Sequence, residues 1–111
     1  MSDRTIGILG LGIFGSSVLT ALAKQDMNII AIDDHAEHIN QFEPVLARGV
    51  VGDITDEELL RTAGIDTCDT VVVATGENLE SSVLAVMHCK SLGVPRVIAK
   101  VKSQTAKKVL E

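Results

Sequence analysis

The sequence predicts a doubly wound α/β fold, a parallel sheet of five strands in the order 3-2-1-4-5 with helices on both faces. Three observations predict it. Apolar runs of strand length alternate with amphipathic runs of helix length along the 111 residues. The junction between the first such pair carries three glycines, Gly10, Gly12 and Gly15, spaced G-x-G-x-x-G. The connections are short, and strand–helix–strand units of this length cross over right-handed within one parallel sheet.

Taken in order, Ile6-Gly-Ile-Leu9 is the first strand. Gly10 allows a sharp turn, Gly12 leaves room for a phosphate against the main chain, and Gly15 lets the following helix lie close on the strand. That helix is expected from Ser16 to Lys24, with Phe14, Val18 and Leu22, and Leu19 beside them, as its core-facing stripe. Asn28-Ile-Ile-Ala-Ile-Asp33 is a second apolar strand. Asp34-His-Ala-Glu37 has the form of a capping box and opens a second helix, which Pro44 bounds. Arg48 to Gly52 reads as a short third strand, and Thr55-Asp-Glu-Glu58 as a second capping box. The helix it starts is expected to end near Ala63, with Gly64 just beyond. Thr70 to Thr75 is β-branched and apolar inside, as a strand buried on both faces should be. Asn78 is the expected N-cap of a helix over Leu79 to Leu92, apolar at Leu79, Val83, Leu84, Val86 and Met87 and stopped by Gly93-Val-Pro95. Arg96 to Val101 is the fifth strand. Ser103 caps a last helix, cut off at Glu111, whose Thr105 to Leu110 stretch presents Ala106, Val109 and Leu110. The sixth strand of a full dinucleotide fold is missing, which suggests a fragment.

Composition excludes several classes of function. A hydrophobic content of 46% supports a packed core, and with two Phe, no Trp and no Tyr that core is aliphatic. A net charge of −5 and the lack of aromatic stacking platforms argue against nucleic acid as a partner. No apolar run approaches the ~20 residues of a transmembrane helix. Met1-Ser-Asp-Arg4 leads almost directly into the first strand, so no signal peptide is expected and the cytoplasm is the default location. Cys68 and Cys89 fit free structural thiols and match no zinc pattern, and His88 beside Cys89 points elsewhere around a helix. No metal site is expected. His35 and His38 read as surface residues near the rim of the crevice.

The glycine motif alone is a weak signal, but its context strengthens it. Asp33 ends the second strand 23 positions after Gly10 (33 − 10), near the spacing of about 20 that places a carboxylate on a ribose. The first amides of the helix after Gly12 lack intrahelical acceptors and sit at the positive end of its dipole, which attracts phosphate. In the predicted topology the ligand crevice opens outside the carboxyl ends of the strands, and Gly10 to Gly15, Asp33, Asp53 and Thr75-Gly76 share its rim. The fold is therefore Rossmann-like, with a nucleotide as the expected ligand. Asp53 also reads equally well as a turn residue, and Lys100 reads better as a solvated residue than as a phosphate ligand.

Several blocks together resemble the N-terminal lobe of a regulator-of-potassium-conductance (RCK, or KTN) domain, as in the soluble subunits of Ktr-type and Trk-type potassium uptake systems. They are Ile8-Leu-Gly-Leu-Gly-Ile-Phe-Gly15, Ile32-Asp33, Val51-Gly-Asp-Ile-Thr-Asp56, Val71-Val-Val-Ala-Thr-Gly-Glu-Asn78, Ile98-Ala-Lys-Val101 and Lys108-Val-Leu-Glu111. The resemblance spans essentially residues 1–111 as one nucleotide-binding domain, with a smaller C-terminal lobe absent. It implies an adenine nucleotide, ATP, ADP or NAD(H), in the crevice. It also implies a homo-oligomer, dimers building to an octameric ring, at the inner face of the membrane on a potassium-translocating subunit. Exchange of nucleotide would alter the ring and gate the pore. Carried over by position, Gly10, Gly12 and Gly15 wrap the phosphates, Asp33 binds ribose, and Asp53 and Ile54 flank the adenine. Thr75 and Gly76 line the crevice floor, Lys100 lies near the phosphates, and Ile13, Phe14 and Asp34 complete the set. Many Ktr-type members carry Arg where this chain has Ile13, which cannot make a charge-assisted phosphate contact. ATP over ADP discrimination is thereby in doubt and NAD(H) stays open.

No Ser–His–Asp order, paired catalytic carboxylates or substrate domain is evident, so a non-enzymatic sensor is the expected function. The alternatives are the cofactor half of an NAD-dependent dehydrogenase and a free-standing NADH redox sensor.

Overall fold

The computed structural model describes residues 4–75 and 78–100. Its sheet has five parallel strands: β1 (Thr5–Leu9), β2 (Asn28–Asp33), β3 (Arg48–Val51), β4 (Thr70–Val73) and β5 (Arg96–Ala99). They lie in the order β3-β2-β1-β4-β5, as the sequence predicts. Helices α1 (Ile13–Leu22), α2 (Ala36–Phe42), α3 (Glu57–Ala63) and α4 (Leu79–Ser91) connect them, with single 3₁₀ turns at Glu43–Val45 and Ile65–Thr67. Gly76, Val101 and the expected last helix lie outside the described residues. No helix among the described residues is long and apolar enough to cross a membrane.

The strands alternate their side chains between two apolar layers, which requires cover on both faces. Ile8, Ile29 and Ala31 face α1 and α2, where they meet Leu19 and Ile39. Leu9, Ile30, Ile32, Val71 and Val73 face the other layer, where they meet Leu60 of α3 and Ala85 and Cys89 of α4. Cys68 and Cys89 are free and buried in this second layer. Burial pushes the Cys68 thiol up to about 12 and the Cys89 thiol up to about 11, so both are uncharged core groups at neutral pH.

Where the sequence reading and the structure differ, a local contact decides. The first helix starts at Ile13, not Ser16, because Gly12 is its N-cap and the Gly12 carbonyl already accepts from the Ser16 amide at 2.9 Å. Phe14 leaves the core stripe: its ring carries the Lys100 ammonium 4.8 Å from the centroid, a cation–π contact. Asp34 does not cap α2. The N-cap is His35, with no side-chain cap, and it is Asp33 that reaches the His35 amide at 2.7 Å. Thr55 does not cap α3, since its hydroxyl and amide both bond Asp53. Asp56 caps it instead, accepting from the Glu58 and Leu59 amides at 3.1 and 3.3 Å, and Gly64 ends it in the left-handed region. On α4, Asn78 is the N-cap as expected, but the buried positions are Ser82, Ala85 and Cys89, with Leu79 and Met87 exposed.

The Asp56 cap gives a simple test. Asp56→Ala should destabilise the domain by about 1 kcal/mol, the usual cost of a lost N-cap. Thr55→Ala removes only an exposed bond and should cost within ~0.5 kcal/mol. Urea denaturation of both variants measures the difference; the reverse order would restore Thr55 as the cap.

Candidate functional site

The carboxyl end of β1 turns through Gly10, whose φ of +99° favours glycine and whose amide donates to the Ile32 carbonyl at 2.8 Å. The turn is thus tied to β2. Leu11 follows, buried, and its amide donates to Asp33 Oδ2 at 2.6 Å. Gly12 then opens α1 with no side-chain cap and no acidic residue in the first turn. An added Cβ at Gly12 would meet nothing within 4 Å, so the space in front of this helix terminus is open. At Gly15 an added Cβ would collide with the Gly10 carbonyl oxygen, so Gly15 is what lets α1 sit against the turn.

Asp33 is 6% exposed and fully engaged. Oδ2 accepts from Leu11, while Oδ1 accepts from the His35 amide and faces the Nδ1 atoms of His35 and His38 at 3.2 and 3.1 Å. Burial would raise its pKa, but the bonds from the Leu11 and His35 amides and from His38 outweigh it and hold the carboxyl below its ordinary value. It is an anion at neutral pH. The bond to Asp33, followed by the charge of Asp34, raises the pKa of the exposed His35 imidazole. Asp53 is a turn residue at the rim: Thr55 donates to it from its amide at 2.8 Å and from its hydroxyl at 2.7 Å, and these bonds lower its pKa.

These elements enclose two adjoining depressions. The larger, about 600 Å³, is lined by Gly10, Gly12, Ile13, Phe14, Asp33, Asp34, His35, His38, Thr75 and Lys100 among others. The smaller, about 250 Å³, is bounded by Gly52, Asp53, Ile54 and Ser81 and shares Gly10, Asp33, Asp34, Thr75 and Asn78 with the first. The predicted site residues therefore converge, with two exceptions. Gly15 lies buried beneath the crevice, and Gly76 is outside the described residues. Ile13 is 93% exposed and offers no charge. Thr75 shares a 2.7 Å hydroxyl contact with buried Ser82. A third hollow of about 670 Å³ lies elsewhere, over β4 and β5, lined by Ile6, Val18, Leu22, Val72 and Ile98. Arg4, Asp69 and Arg96 also line it, and it shares only Phe14 with the crevice.

Sequence reasoning missed four residues at the crevice: Asn78 as a lining residue, Ser81, and His35 and His38 as partners of Asp33. The histidines were legible. Asp33-x-His35-x-x-His38 puts two imidazoles three apart at the start of a helix, on the side that faces the preceding strand end.

A family model, the TrkA-N domain, matches residues 6–111. The chain belongs to the TrkA-N family. Among its relatives is the Ktr system potassium uptake protein C of Bacillus subtilis (strain 168), 34% identical over 96% of this chain and 48% of that protein. The TrkA-N chain thus spans about half the length of that relative. Solved structures agree on the fold. The GsuK channel bound to NAD superposes with a TM-score of 0.79 at 18% identity, covering 99% of this chain and 20% of that one. The Shewanella denitrificans Kef C-terminal domain in its AMP-bound form gives 0.68 at 20% identity, covering 88% of this chain and 58% of that one. At such identities the likeness of the TrkA-N chain to these structures concerns the fold alone.

Proposed function

We propose that this TrkA-N domain binds an adenine nucleotide in the crevice and serves as the sensing part of a potassium-uptake regulator. The observation that carries the reading is the meeting of an open helix terminus and a buried anionic carboxylate across one 2.6 Å bond, Leu11 to Asp33. Phosphates would lie before the amides of α1 at Gly12, close to the Lys100 ammonium. Ribose hydroxyls would donate to Asp33, exchanging with the imidazoles that now face it. The adenine would lie toward Asp53 and Ile54. GsuK with NAD and the Kef domain with AMP support an adenine nucleotide of either kind. Ile13 supplies no charge for a terminal phosphate, which favours no strong preference for ATP over ADP.

The kinship with a Ktr potassium uptake protein supports the rest of the reading. The domain would act within a homo-oligomeric ring, at the cytoplasmic face of the membrane, on a potassium-translocating subunit. A ligand shifts a two-state ring by its differential affinity for the two states, about 1.4 kcal/mol for each factor of ten. The kinship with a potassium uptake protein supports a domain that senses its ligand and does not consume it.

Calorimetry with ATP, ADP, AMP, NADH and NADPH tests the reading. At least one of the first four should bind one per chain, and incubation should release no product. NADPH should bind at least ~10-fold more weakly than NADH, because Asp33 repels a 2′-phosphate. Failure of all five to bind would remove the nucleotide assignment, and sustained turnover would replace the sensor with an enzyme.

A further inference from the structure

We propose that Asp33, His35 and His38 form a binding site for a divalent transition-metal ion of the zinc type at the mouth of the crevice. One donor atom from each of the three residues lies within 4.8 Å of the others. The carboxylate comes from the end of β2, His35 from the N-cap of α2 and His38 from its first turn. Both imidazoles present the same nitrogen to the same oxygen, with Nδ1 to Asp33 Oδ1 separations of 3.2 and 3.1 Å. Zinc held at about 2.0–2.1 Å in a tetrahedron sets its ligand atoms about 3.3–3.4 Å apart. Two of the three separations thus match a zinc shell, and the third, within 4.8 Å, would close on the ion by a turn of the partly exposed imidazoles.

Two further features make this more than a surface pair of histidines. Asp33 is fixed from behind by the Leu11 amide on Oδ2 and by the His35 amide on Oδ1, the kind of outer-shell bonding that orients metal ligands. Asp34 Oδ1 lies 2.7 Å from His35 Nδ1 and brings a second carboxylate to the same spot, able to accept a proton or supply a fourth bond. Two imidazoles and a carboxylate favour zinc, cobalt or nickel over magnesium and calcium, which prefer oxygen throughout. The site does not rest on the nucleotide reading, but it uses Asp33, the proposed ribose acceptor, and is therefore tested without nucleotide.

Cobalt(II) is the probe, because its visible absorption distinguishes a four-coordinate protein site from the hydrated ion. Titrating Co²⁺ into the protein should give an intense visible band that saturates at one equivalent and is displaced by Zn²⁺. Loss of an outer-shell partner typically weakens metal binding ~10–100-fold, so loss of a ligand in His35→Ala or His38→Ala should weaken it at least ~10-fold. These side chains are 58% and 35% exposed, so both variants should keep the native circular dichroism spectrum. His88, which faces Glu57 at 3.1 Å on the other layer, is the control, and His88→Ala should titrate like the unaltered protein. Absence of the band in the unaltered protein overturns the proposal without reference to any variant. So does a band that survives both His35→Ala and His38→Ala, or one that only His88→Ala removes.

Discussion

Replacing Gly15 by alanine is expected to destabilise the domain by at least ~3 kcal/mol, the upper end of what overpacking usually costs. The new methyl group would be driven into the Gly10 carbonyl oxygen and would also approach Ala74 Cβ to 3.2 Å. Neither obstacle is a movable side-chain end. Gly10 is held in a left-handed turn, with its amide bonded to Ile32 at 2.8 Å, and Ala74 is bonded through its amide to the Leu9 carbonyl at 2.8 Å. Relief requires the start of α1 to lift from the sheet, which would draw Leu19 out of its layer. Gly12→Ala is the matched control. Gly12 has φ −72°, a value open to any L residue, and clear space where the methyl would go. It should cost no more than ~1 kcal/mol, the difference between Gly and Ala at an N-cap. Urea unfolding of the pair reads the contrast, and equal midpoints would show that α1 yields freely.

Gly12→Asp should abolish nucleotide binding while leaving the fold intact or slightly firmer. Asp is a better N-cap than Gly, and a carboxylate at a helix N-terminus is favourable. The same carboxylate would occupy the position proposed for the phosphates. Juxtaposed like charges cost several kcal/mol, which corresponds to at least ~100-fold in affinity. Calorimetry with the tightest nucleotide, paired with a thermal melt, decides it. Unchanged affinity in a folded variant would remove the start of α1 as the phosphate site.

The sheet was legible because its signals are redundant. The β-branched core of Thr70 to Val73, the apolar run ending at Asp33 and the glycine turn each mark a strand without help from the others, and the topology follows from short crossovers. Helix starts were less legible, because several residues competed for each cap. Asp33, Asp34 and His35 are adjacent, as are Thr55 and Asp56, and the pattern S/T/D-x-x-E cannot say which one meets the free amides. In the structure Asp53 engages Thr55, leaving Asp56 as the cap, and Asp33 is long enough to reach past Asp34 to His35. Helical periodicity put Phe14 in the core stripe for a related reason. It reports which residues share a face, but Phe14 also lies within reach of Lys100, just past β5. The crevice residues converge as the topology implies; the partnership of Asp33 with two histidines depends on side-chain geometry that spacing only suggests.

The three glycines of the first turn answer to different demands. Gly10 is fixed by its backbone angle and Gly15 by a neighbouring carbonyl, whereas nothing in the unliganded chain excludes a side chain at Gly12. A saturation screen scored for protein abundance would therefore reject substitutions at positions 10 and 15 and pass many at position 12. The same library scored for ligand capture would reject all three. The difference between the two screens at position 12 isolates the part of this motif that exists for the ligand alone, and a lineage that gave up its ligand would be free to drift there first.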